Sequence, residues 1–476
     1  MKRLSASTSL PPNVARPNFD RASLKPGIVH LGFGAFHRAH QAVCTDAALE
    51  ADFEDWGIVG VSLRSSDMIR DLKAQDHLFS VTSRGGDVQE IRVVGSVIGG
   101  LSASEERGDL LALLADPAIR IVSMTVTEKA YGIDPLTGGL HRAHPAVAGD
   151  LANPRAPTGV IGVIVEGLAR RHAAGIPPFT VLCCDNLPTN GRVVRRLVTE
   201  MAASRDEALA GWISDHAAFP STMVDRIVPA ATADTRQRAA DLLNAEDMLA
   251  LDTEPFMQWV VEDDFPTGRP AWEAGGALFV KAVEPYEKMK LRMLNGAHSM
   301  IAYIGQTTGL DYVRDVMAVP SHRSLVERYM QAAAQTLDPV PGIDLQSYRE
   351  QLLARFANPT IAHKTRQIAM DGSQKLPQRT FSAAVDDLAA GRNGEIFAYA
   401  TATWIAYLLQ AKNLEDPRCD ELSAAAAKVV ERGNLDPIFS LPGLFPRPLL
   451  EQKDWLDLVG KAFAEITAFL EARNGK

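Results

Sequence analysis

Short apolar runs alternate with helical patterns through the first part of the chain. A run begins at Ile28, a second covers 56–63 and a third covers 120–127, and each leads towards an amphipathic segment. Continuous β-branched runs of this length are typical of strands buried in a parallel sheet. The alternation in 77–84 and 88–99 predicts a strand pair. The segment 254–272 predicts a further strand that extends the sheet in the antiparallel sense.

The hydrophobic period changes after Gly305. The segments that follow have helical spacing, and few strand patterns interrupt them: 311–337, 346–356, 360–370, 380–391, 394–412, 420–432 and 454–473. The fold class is therefore α/β, with a Rossmann-like N-terminal domain that has an extended mixed sheet, and a mostly α-helical C-terminal domain. We expect the first domain to cover 1–284, with an N-terminal arm at 1–25, and the second to cover 285–476.

Composition narrows the choice of partners and compartment. The 476 residues carry a net charge of −9 and contain no long basic run, so nucleic acid and anionic membranes are poor partners. No apolar run is long enough to span a membrane, and the N-terminus has no signal-peptide core. Four cysteines, two of them adjacent, fit a reducing compartment better than a disulfide scaffold or a zinc site. We expect a cytoplasmic protein, and nothing in the sequence demands anything but a monomer.

A glycine turn follows the first strand, in GFGAFHRAH. Gly32 would let the chain turn, and Gly34 would let the backbone approach a pyrophosphate at the start of a helix that begins near Phe36. The third glycine of the usual G-x-G-x-x-G pattern is absent, because His37 stands there. His37 and Arg38, with the nearby His40, suit phosphate as donors, although a solvated helix face is the plainer interpretation.

The choice between NAD and NADP depends on two residues that follow the second predicted strand. Asp67 can hold the ribose hydroxyls of NAD, whereas Arg64 can face the 2′-phosphate of NADP. Either residue can also be ordinary surface charge. NAD is the preferred cofactor and NADP stays possible.

Polar residues stand at the carboxyl ends of two predicted central strands. Thr127 and Glu128 end the run at 120–127, and Asp185 and Asn186 follow another buried run. Ligands bind at this edge of open α/β sheets, so we expect Thr127 and Glu128 beside the cofactor.

The segment from Pro285 to Gly305 predicts a buried helix that carries Glu287, Lys290, Asn295 and His298. On an α-helical wheel Lys290 and Asn295 lie about 140° apart, with His298 between them. Such groups need partners when they are buried. One interpretation is a satisfied polar cluster, and the other is a catalytic lysine with oxyanion donors.

A nucleotide site, a buried lysine and polar amides together favour hydride transfer at a carbinol carbon. Lys290 can accept the alcohol proton if burial lowers its pKa. Asn186 and Asn295 can stabilise the developing alkoxide without changing charge, and His298 can orient substrate or lysine. This chemistry requires no zinc, and the histidines and cysteines offer no zinc-ligand set at a recognisable spacing.

The chain resembles the polyol-specific long-chain dehydrogenases and reductases, the family of mannitol 2-dehydrogenase, fructuronate reductase and tagaturonate reductase. The matching stretches run in order from 27 to about 380: GFGAFHRAHQA, TVTEKAYG, CDNLPTNG, MVDRIVPAAT, EPFMQWVVEDDF, KLRMLNGAHS and QIAMDGSQKLPQR. The resemblance implies a Rossmann-like domain, a helical domain and metal-independent NAD(P) chemistry. By position it implies that Lys290 is the general base, that Asn186 and Asn295 bind the oxyanion, and that His298 orients the substrate.

The resemblance also implies roles for residues around this centre. By this resemblance Glu287 relays the lysine proton, and Asp225 orients either the substrate or a residue that contacts it. Lys375 lines the substrate end, and Asp67 favours NAD. A sugar acid needs a cation for its carboxylate, which Lys375 or Arg379 can supply.

The expected substrate is a sugar acid or a polyol. The runs around Asp225 and Lys375 resemble the fructuronate reductase branch of the family, and this resemblance favours D-mannonate/D-fructuronate interconversion over mannitol/fructose. Arg292 is a further candidate for substrate contact, although a structural brace is the plainer interpretation. A nucleotide-binding regulator without turnover is the alternative from another class, and the intact catalytic set argues against it.

Overall fold

A computed structural model describes residues 1–85, 88–360 and 363–474. The chain forms two compact units, the N-terminal unit Met1–Glu284 and the helical unit Pro285–Lys476. The fold class predicted from the sequence is confirmed by this architecture.

Strands are confined to the N-terminal unit in the described part of the chain. They are β1 (Pro26–Leu31), β2 (Gly57–Ser62), β3 (Phe79–Gly85), β4 (Val88–Val94), β5 (Val97–Ser102), β6 (Ile121–Met124), β7 (Thr180–Cys183), β8 (Thr222–Asp225), β9 (Leu251–Thr253), β10 (Gln258–Glu262) and β11 (Ala277–Val280).

Five of these strands form a parallel sheet in the order β5-β2-β1-β6-β7. The chain moves outward from β1 through β2 to β5, and then returns to the other side of β1 for β6 and β7. The order therefore reverses between β1 and β6. In open α/β sheets this switch point is where the crevice for a ligand opens, at the carboxyl ends of the strands.

The remaining strands make two separate three-stranded sheets, β11-β10-β8 and β4-β3-β9. The predicted strand in 254–272 appears as β10, but it pairs with β8 and β11 and does not extend the parallel sheet. The predicted strand 88–99 is likewise divided. Its first half, β4, pairs with β3, whereas β5 joins the parallel sheet after a turn at Gly95 and Ser96.

The helices of the N-terminal unit cover the sheets. They are α1 (Ala35–Ala39), α2 (Gln41–Ala51), α3 (Asp67–Lys73), α4 (Arg107–Leu114), α5 (Pro145–Ala152), α6 (Val160–Ala174), α7 (Asn190–Ala203), α8 (Glu207–His216) and α9 (Ala233–Leu243), with 3₁₀ turns at Glu128–Tyr131 and Trp272–Gly275.

Both faces of the parallel sheet are apolar. Val29 and Leu31 belong to the core under α6 and α7, whereas Ile28 and Ile58 belong to the core on the opposite face. Successive strand residues point to opposite faces, which is why a continuous apolar run is needed where both faces are covered.

The second unit is built from helices. They are α10 (Glu284–Met289), α11 (Gly296–Thr308), α12 (Val313–Met317), α13 (Pro320–Gln335), α14 (Leu345–Phe356), α15 (Thr365–Ala369), α16 (Gly372–Leu376), α17 (Ser382–Ala389), α18 (Glu395–Gln410), α19 (Cys419–Arg432), α20 (Asp436–Phe439), α21 (Arg447–Leu450) and α22 (Lys453–Asn474). Two π-helical segments join them: the first π segment, Lys290–Asn295, and the second π segment, Pro377–Phe381. The predicted helix 360–370 is seen as α15, and its residues 361–362 lie outside the described part.

The predicted helix 285–305 is longer than expected and is not α-helical throughout. It runs through α10, the first π segment and α11, and it ends at the left-handed Gly309. Gly305 was expected to end it but lies inside α11. A Cβ at Gly305 would stand 2.6 Å from the Thr365 side chain, so this glycine allows α15 to pack closely.

No helix among the described residues is long and apolar enough to cross a membrane. Within the same residues, no group of three or more His, Cys, Asp or Glu side chains is arranged to hold a metal ion.

Candidate active site

The turn after β1 has the geometry that a dinucleotide requires. Gly32 has φ +92°, and a Cβ there would stand 2.1 Å from the Thr125 carbonyl oxygen, so only glycine fits. A Cβ at Gly34 would meet nothing closer than 3.6 Å, which leaves the space in front of α1 open. Gly34 is the N-cap residue of α1, and no side chain accepts a capping hydrogen bond from the first N–H groups of that helix. These features fit a pyrophosphate at the switch point of the sheet.

The side chains of His37 and Arg38 are both buried. His37 is fully buried and stacks on His30 at a ring separation of 3.4 Å. Burial and the neighbouring His30 lower the pKa of His37 well below its usual range, so its ring is neutral. Arg38 is buried over the rings of Phe33 and Phe79 and donates to the Leu249 carbonyl. These contacts give both side chains a structural role, and their contact with phosphate stays a prediction.

Phe36 is half-buried and stacks on His40 with ring centroids 4.8 Å apart. Asp67 is exposed at the first turn of α3, directly after β2, and pairs with Arg70. Arg64 is also exposed, in the turn between them. The structure thus places both residues of the NAD-or-NADP alternative on the surface at the end of β2.

Thr127 and Glu128 are exposed in the turn that follows β6. The preceding residue, Val126, donates its N–H to the Asp185 carboxylate at 2.9 Å. The turn after β6 is therefore bonded to the turn after β7, which carries Asn186. Asn186 is exposed. Desolvation raises the pKa of Asp185 to about 6.

Asp225 is the last residue of β8 and stands opposite Gln258 of β10. It is only 7% exposed. Asn186 and Asp225 are thus both fixed at strand ends of the N-terminal unit.

The first π segment changes the relation between Lys290 and Asn295. In a π-helix each N–H bonds the carbonyl five residues earlier, and a turn holds about one more residue than an α-turn. Residues five apart therefore come nearer to one face, and the separation of about 140° expected from an α-helical wheel is wrong here. Both side chains are half-buried, as is that of Glu287 one turn earlier.

His298 lies in the first turn of α11 and is buried. Its ring centroid lies 4.5 Å from that of Phe356, with the two rings tilted by 34°, and it meets His363 edge-on at 4.9 Å. Burial, reinforced by nearby cationic groups, lowers its pKa well below the usual range, so the imidazole is neutral. Its Nε2 has no hydrogen-bond partner among the described residues. A neutral imidazole with an unused nitrogen is suited to a substrate hydroxyl.

The second π segment packs against the first. Arg379 donates to the Ser299 hydroxyl at 3.1 Å and lies 3.5 Å from the Asn295 carbonyl oxygen. Tyr329 in turn donates to the Arg379 carbonyl at 3.1 Å. A π turn shifts the backbone hydrogen-bond pattern, and here side chains from neighbouring elements bond carbonyls of both segments.

Two other predicted substrate residues differ in their surroundings. Lys375 is half-buried, donates to the Met370 carbonyl at 2.7 Å and lies 3.6 Å from Asp371. Arg292 is buried, donates to Thr336 at 2.8 Å and pairs with Asp386 at 2.6 Å. These contacts make Arg292 a brace inside the helical unit, which was the plainer interpretation.

Tyr131, Asn190 and Ser299 also contribute to the site, and no role was predicted for them. Tyr131 and Asn190 both donate to Asp185, which precedes Asn186 in the chain, and Ser299 accepts a hydrogen bond from Arg379. The sequence indicates these three residues only by their position, since each lies within five residues of a candidate site residue.

Comparison with known proteins covers both units. Residues 26–274 match the mannitol dehydrogenase Rossmann domain and residues 282–442 match the mannitol dehydrogenase C-terminal domain. The chain is 41% identical to D-mannonate oxidoreductase of Escherichia coli (strain K12), over 95% of this chain and 96% of that protein. It is 38% identical to mannitol 2-dehydrogenase of Aspergillus terreus, over 96% and 92%. Among solved structures, the ternary complex of Pseudomonas fluorescens mannitol 2-dehydrogenase with NAD and D-mannitol aligns over 100% of both chains, with 36% identity and a TM-score of 0.84.

Proposed function

Because the chain belongs to the mannitol dehydrogenase family, we propose that it is the NAD-dependent oxidoreductase that interconverts D-mannonate and D-fructuronate. The reaction removes a hydride from a secondary carbinol carbon and a proton from its hydroxyl, and it leaves a ketone. In this proposal the enzyme acts as a monomer in the cytoplasm.

Bound NAD supplies the acceptor for the hydride. Gly32 and Gly34 would form the turn against its pyrophosphate, with Thr127 and Glu128 on the other side of the switch point. Asp67 would accept hydrogen bonds from the ribose hydroxyls, since it is exposed at the end of β2.

Lys290 is assigned the role of general base. Its amine accepts the hydroxyl proton as the hydride leaves, and Glu287 passes that proton on towards solvent. Asn186 and Asn295 donate amide N–H groups to the oxygen as negative charge grows on it. His298 holds a neighbouring substrate hydroxyl through its unused nitrogen.

One observation carries the choice of a sugar acid. The Arg379 guanidinium lies beside the Asn295 carbonyl and the Ser299 hydroxyl, so a positive charge is fixed next to a proposed oxyanion donor. Guanidinium binds carboxylate with two parallel hydrogen bonds, which a polyol without charge cannot match. Lys375 in the same stretch adds a second cation. Asp225 would orient the substrate hydroxyls.

A panel of ketones tests the proposal. Purified protein is mixed with NADH or NADPH and with fructuronate or fructose, and absorbance at 340 nm is followed. We expect kcat/KM with NADH to be higher for fructuronate than for fructose. A preference for fructose would make the protein a mannitol 2-dehydrogenase, and cofactor binding without any turnover would make it a regulator.

The Arg379→Gln variant tests the carboxylate contact directly. Loss of a charged hydrogen bond of about 1.5–3 kcal/mol predicts a fall in kcat/KM for fructuronate of roughly 10- to 150-fold, with little change for fructose. Arg447→Gln is the matched control, because Arg447 is an exposed arginine that pairs with Glu451. Equal losses for both ketones would instead show that Arg379 only supports Asn295 and Ser299.

A further inference from the structure

The turn that carries Asn186 is bonded to the chain on both sides. On one side, Asp185 accepts the Val126 N–H at 2.9 Å and the Tyr131 hydroxyl at 2.5 Å. Tyr131 is fully buried, at the end of the 3₁₀ turn that begins with Glu128. These bonds tie the turn after β7 to the turn after β6.

On the other side, the bond is made by Asn190. Its Nδ2 donates to the Asp185 carbonyl at 2.9 Å and to the Thr222 carbonyl at 2.9 Å, and its Oδ1 accepts the Thr222 N–H at 2.8 Å. The Thr222 hydroxyl donates to the Cys183 carbonyl at 2.6 Å. Thr222 begins β8, the strand that ends at Asp225. One amide therefore joins the turn of Asn186 to the strand of Asp225.

The arrangement leaves the amide of Asn190 no freedom. The side chain has no exposed surface, and both of its amide protons and its oxygen are used. The adjacent Thr189 has φ +44°, a left-handed conformation that is costly for a β-branched residue. Such a conformation persists only where the surrounding contacts over-determine it, and the hydrogen bonds of the adjacent Asn190 are among those contacts.

We propose that Asn190 and the Asp185–Tyr131 pair are positioning residues for the reaction, because they fix the backbone on either side of Asn186 and so aim its side-chain amide. The inference rests on the proposed function, in which Asn186 donates to the reacting oxygen. Such a donor contributes only at the right distance, and a displacement of about 1 Å can lower a rate roughly 100-fold.

Gln75 provides a matched control for a merely structural role. It is also a fully buried amide of the N-terminal unit, with donations to the Leu78 carbonyl at 3.0 Å and Asp247 at 2.8 Å. Its oxygen accepts the Met248 N–H at 2.8 Å. None of these partners belongs to a turn that carries a candidate catalytic residue.

The experiment compares Asn190→Ala with Gln75→Ala in the full chain. For each variant we measure the thermal midpoint, NADH affinity, kcat and KM, and the hydrogen exchange of the peptide that covers 184–189. Both variants should lose stability. Only Asn190→Ala should lose kcat, by about 10- to 100-fold with NADH affinity unchanged, and only it should exchange faster at 184–189.

Tyr131→Phe keeps the ring and removes one bond to Asp185. It should lower kcat by a smaller factor, in the same direction, and this variant serves where Asn190→Ala fails to fold. Equal kcat in Asn190→Ala and Gln75→Ala, or unchanged exchange at 184–189, would overturn the inference. If the wild-type protein turns over no ketone, the proposed function fails, whereas the exchange measurement still decides whether Asn190 fixes the turn.

Discussion

The two proposed amide donors, Asn186 and Asn295, are held by different means. Asn186 follows a parallel strand, and buried polar side chains bond its turn to the adjacent turn and to β8. Asn295 ends a π segment, and the helix itself sets its direction relative to Lys290. The first donor depends on hydrogen bonds between distant parts of the chain. The second depends on a local departure from α-helical geometry that close helix packing supports.

The difference matters because the two arrangements should fail in different ways. A turn held by individual hydrogen bonds loses its position when one bond is removed. A π segment held by packing loses its geometry when the neighbouring surface is pushed away.

Replacement of the lysine in the π segment should have the largest effect. Lys290→Ala removes the proposed proton acceptor, and loss of general-base catalysis predicts a fall in kcat of about 10²- to 10⁴-fold. NADH affinity, measured by fluorescence titration, should stay close to that of the wild type. Lys288→Ala is the control, because Lys288 lies two residues earlier and faces Asp386 at 3.5 Å. Loss of NADH binding in Lys290→Ala would reassign this lysine to the cofactor.

The position of the turns after β6 and β7 was predictable from the sequence, because the carboxyl ends of parallel strands lie at the same edge of a sheet. The run before Thr127 became β6, the run before Asp185 became β7, and both turns meet at one edge as the pattern requires. The hydrogen bonds between Asn190 and Thr222 were not predictable, since they join residues that are 32 positions apart.

The helix was harder to predict, because a wheel at 100° per residue assumes that every turn is α-helical. The first π segment departs from α-helical geometry, and it contains no proline that would indicate this departure in the sequence. The orientation of His37 was also missed. A cationic pattern after a glycine turn gives no sign that the ring will stack under the sheet on His30.

Crowding the two π segments should have the next largest effect. A Cβ at Gly296 would lie 2.3 Å from the Tyr329 hydroxyl oxygen and 3.0 Å from the Arg379 carbonyl oxygen. Gly296→Ala should therefore destabilise the protein by about 1–3 kcal/mol and lower kcat about tenfold or more, because Asn295 is adjacent. Urea unfolding and steady-state kinetics measure the two effects.

Gly460 supplies the control for this substitution. It lies within α22, and a Cβ there meets nothing within 4 Å. Gly460→Ala should stabilise the helical unit by up to about 1 kcal/mol and leave kcat unchanged. The double variant Gly296→Ala/Tyr329→Phe should recover part of the lost stability, since it removes the nearest clashing atom. Identical behaviour of the two alanine variants would show that the π segments tolerate displacement.

The smallest effect concerns the polar side chains that hold the N-terminal unit together, and it appears as a dependence of stability on pH. Asp46 is buried and accepts the N–H groups of Gly95, at 3.0 Å, and Ser96, at 2.6 Å, in the turn between β4 and β5. Burial raises its pKa from 3.8 to about 7 in spite of these bonds. A carboxyl whose folded pKa is raised stabilises the fold fully below its unfolded pKa near 4, and this stabilisation is lost as pH rises through about 7.

The free energy of unfolding of the N-terminal unit should therefore fall between about pH 4 and pH 7, by an amount on the order of a few kcal/mol. Asp46→Asn keeps the side-chain shape and one acceptor but cannot ionise, so it should flatten this part of the profile. Unfolding followed by hydrogen exchange at several pH values resolves the two units, and exchange in the helical unit should keep its wild-type profile in the variant. If the dependence of stability on pH persists in Asp46→Asn, another carboxyl must cause it. Asp185 is the first candidate, because its pKa is also raised, to about 6. That result would connect the stability of the N-terminal unit to the same turn that aims Asn186, and the contrast between the two amide donors would then appear in the pH profile of kcat as well.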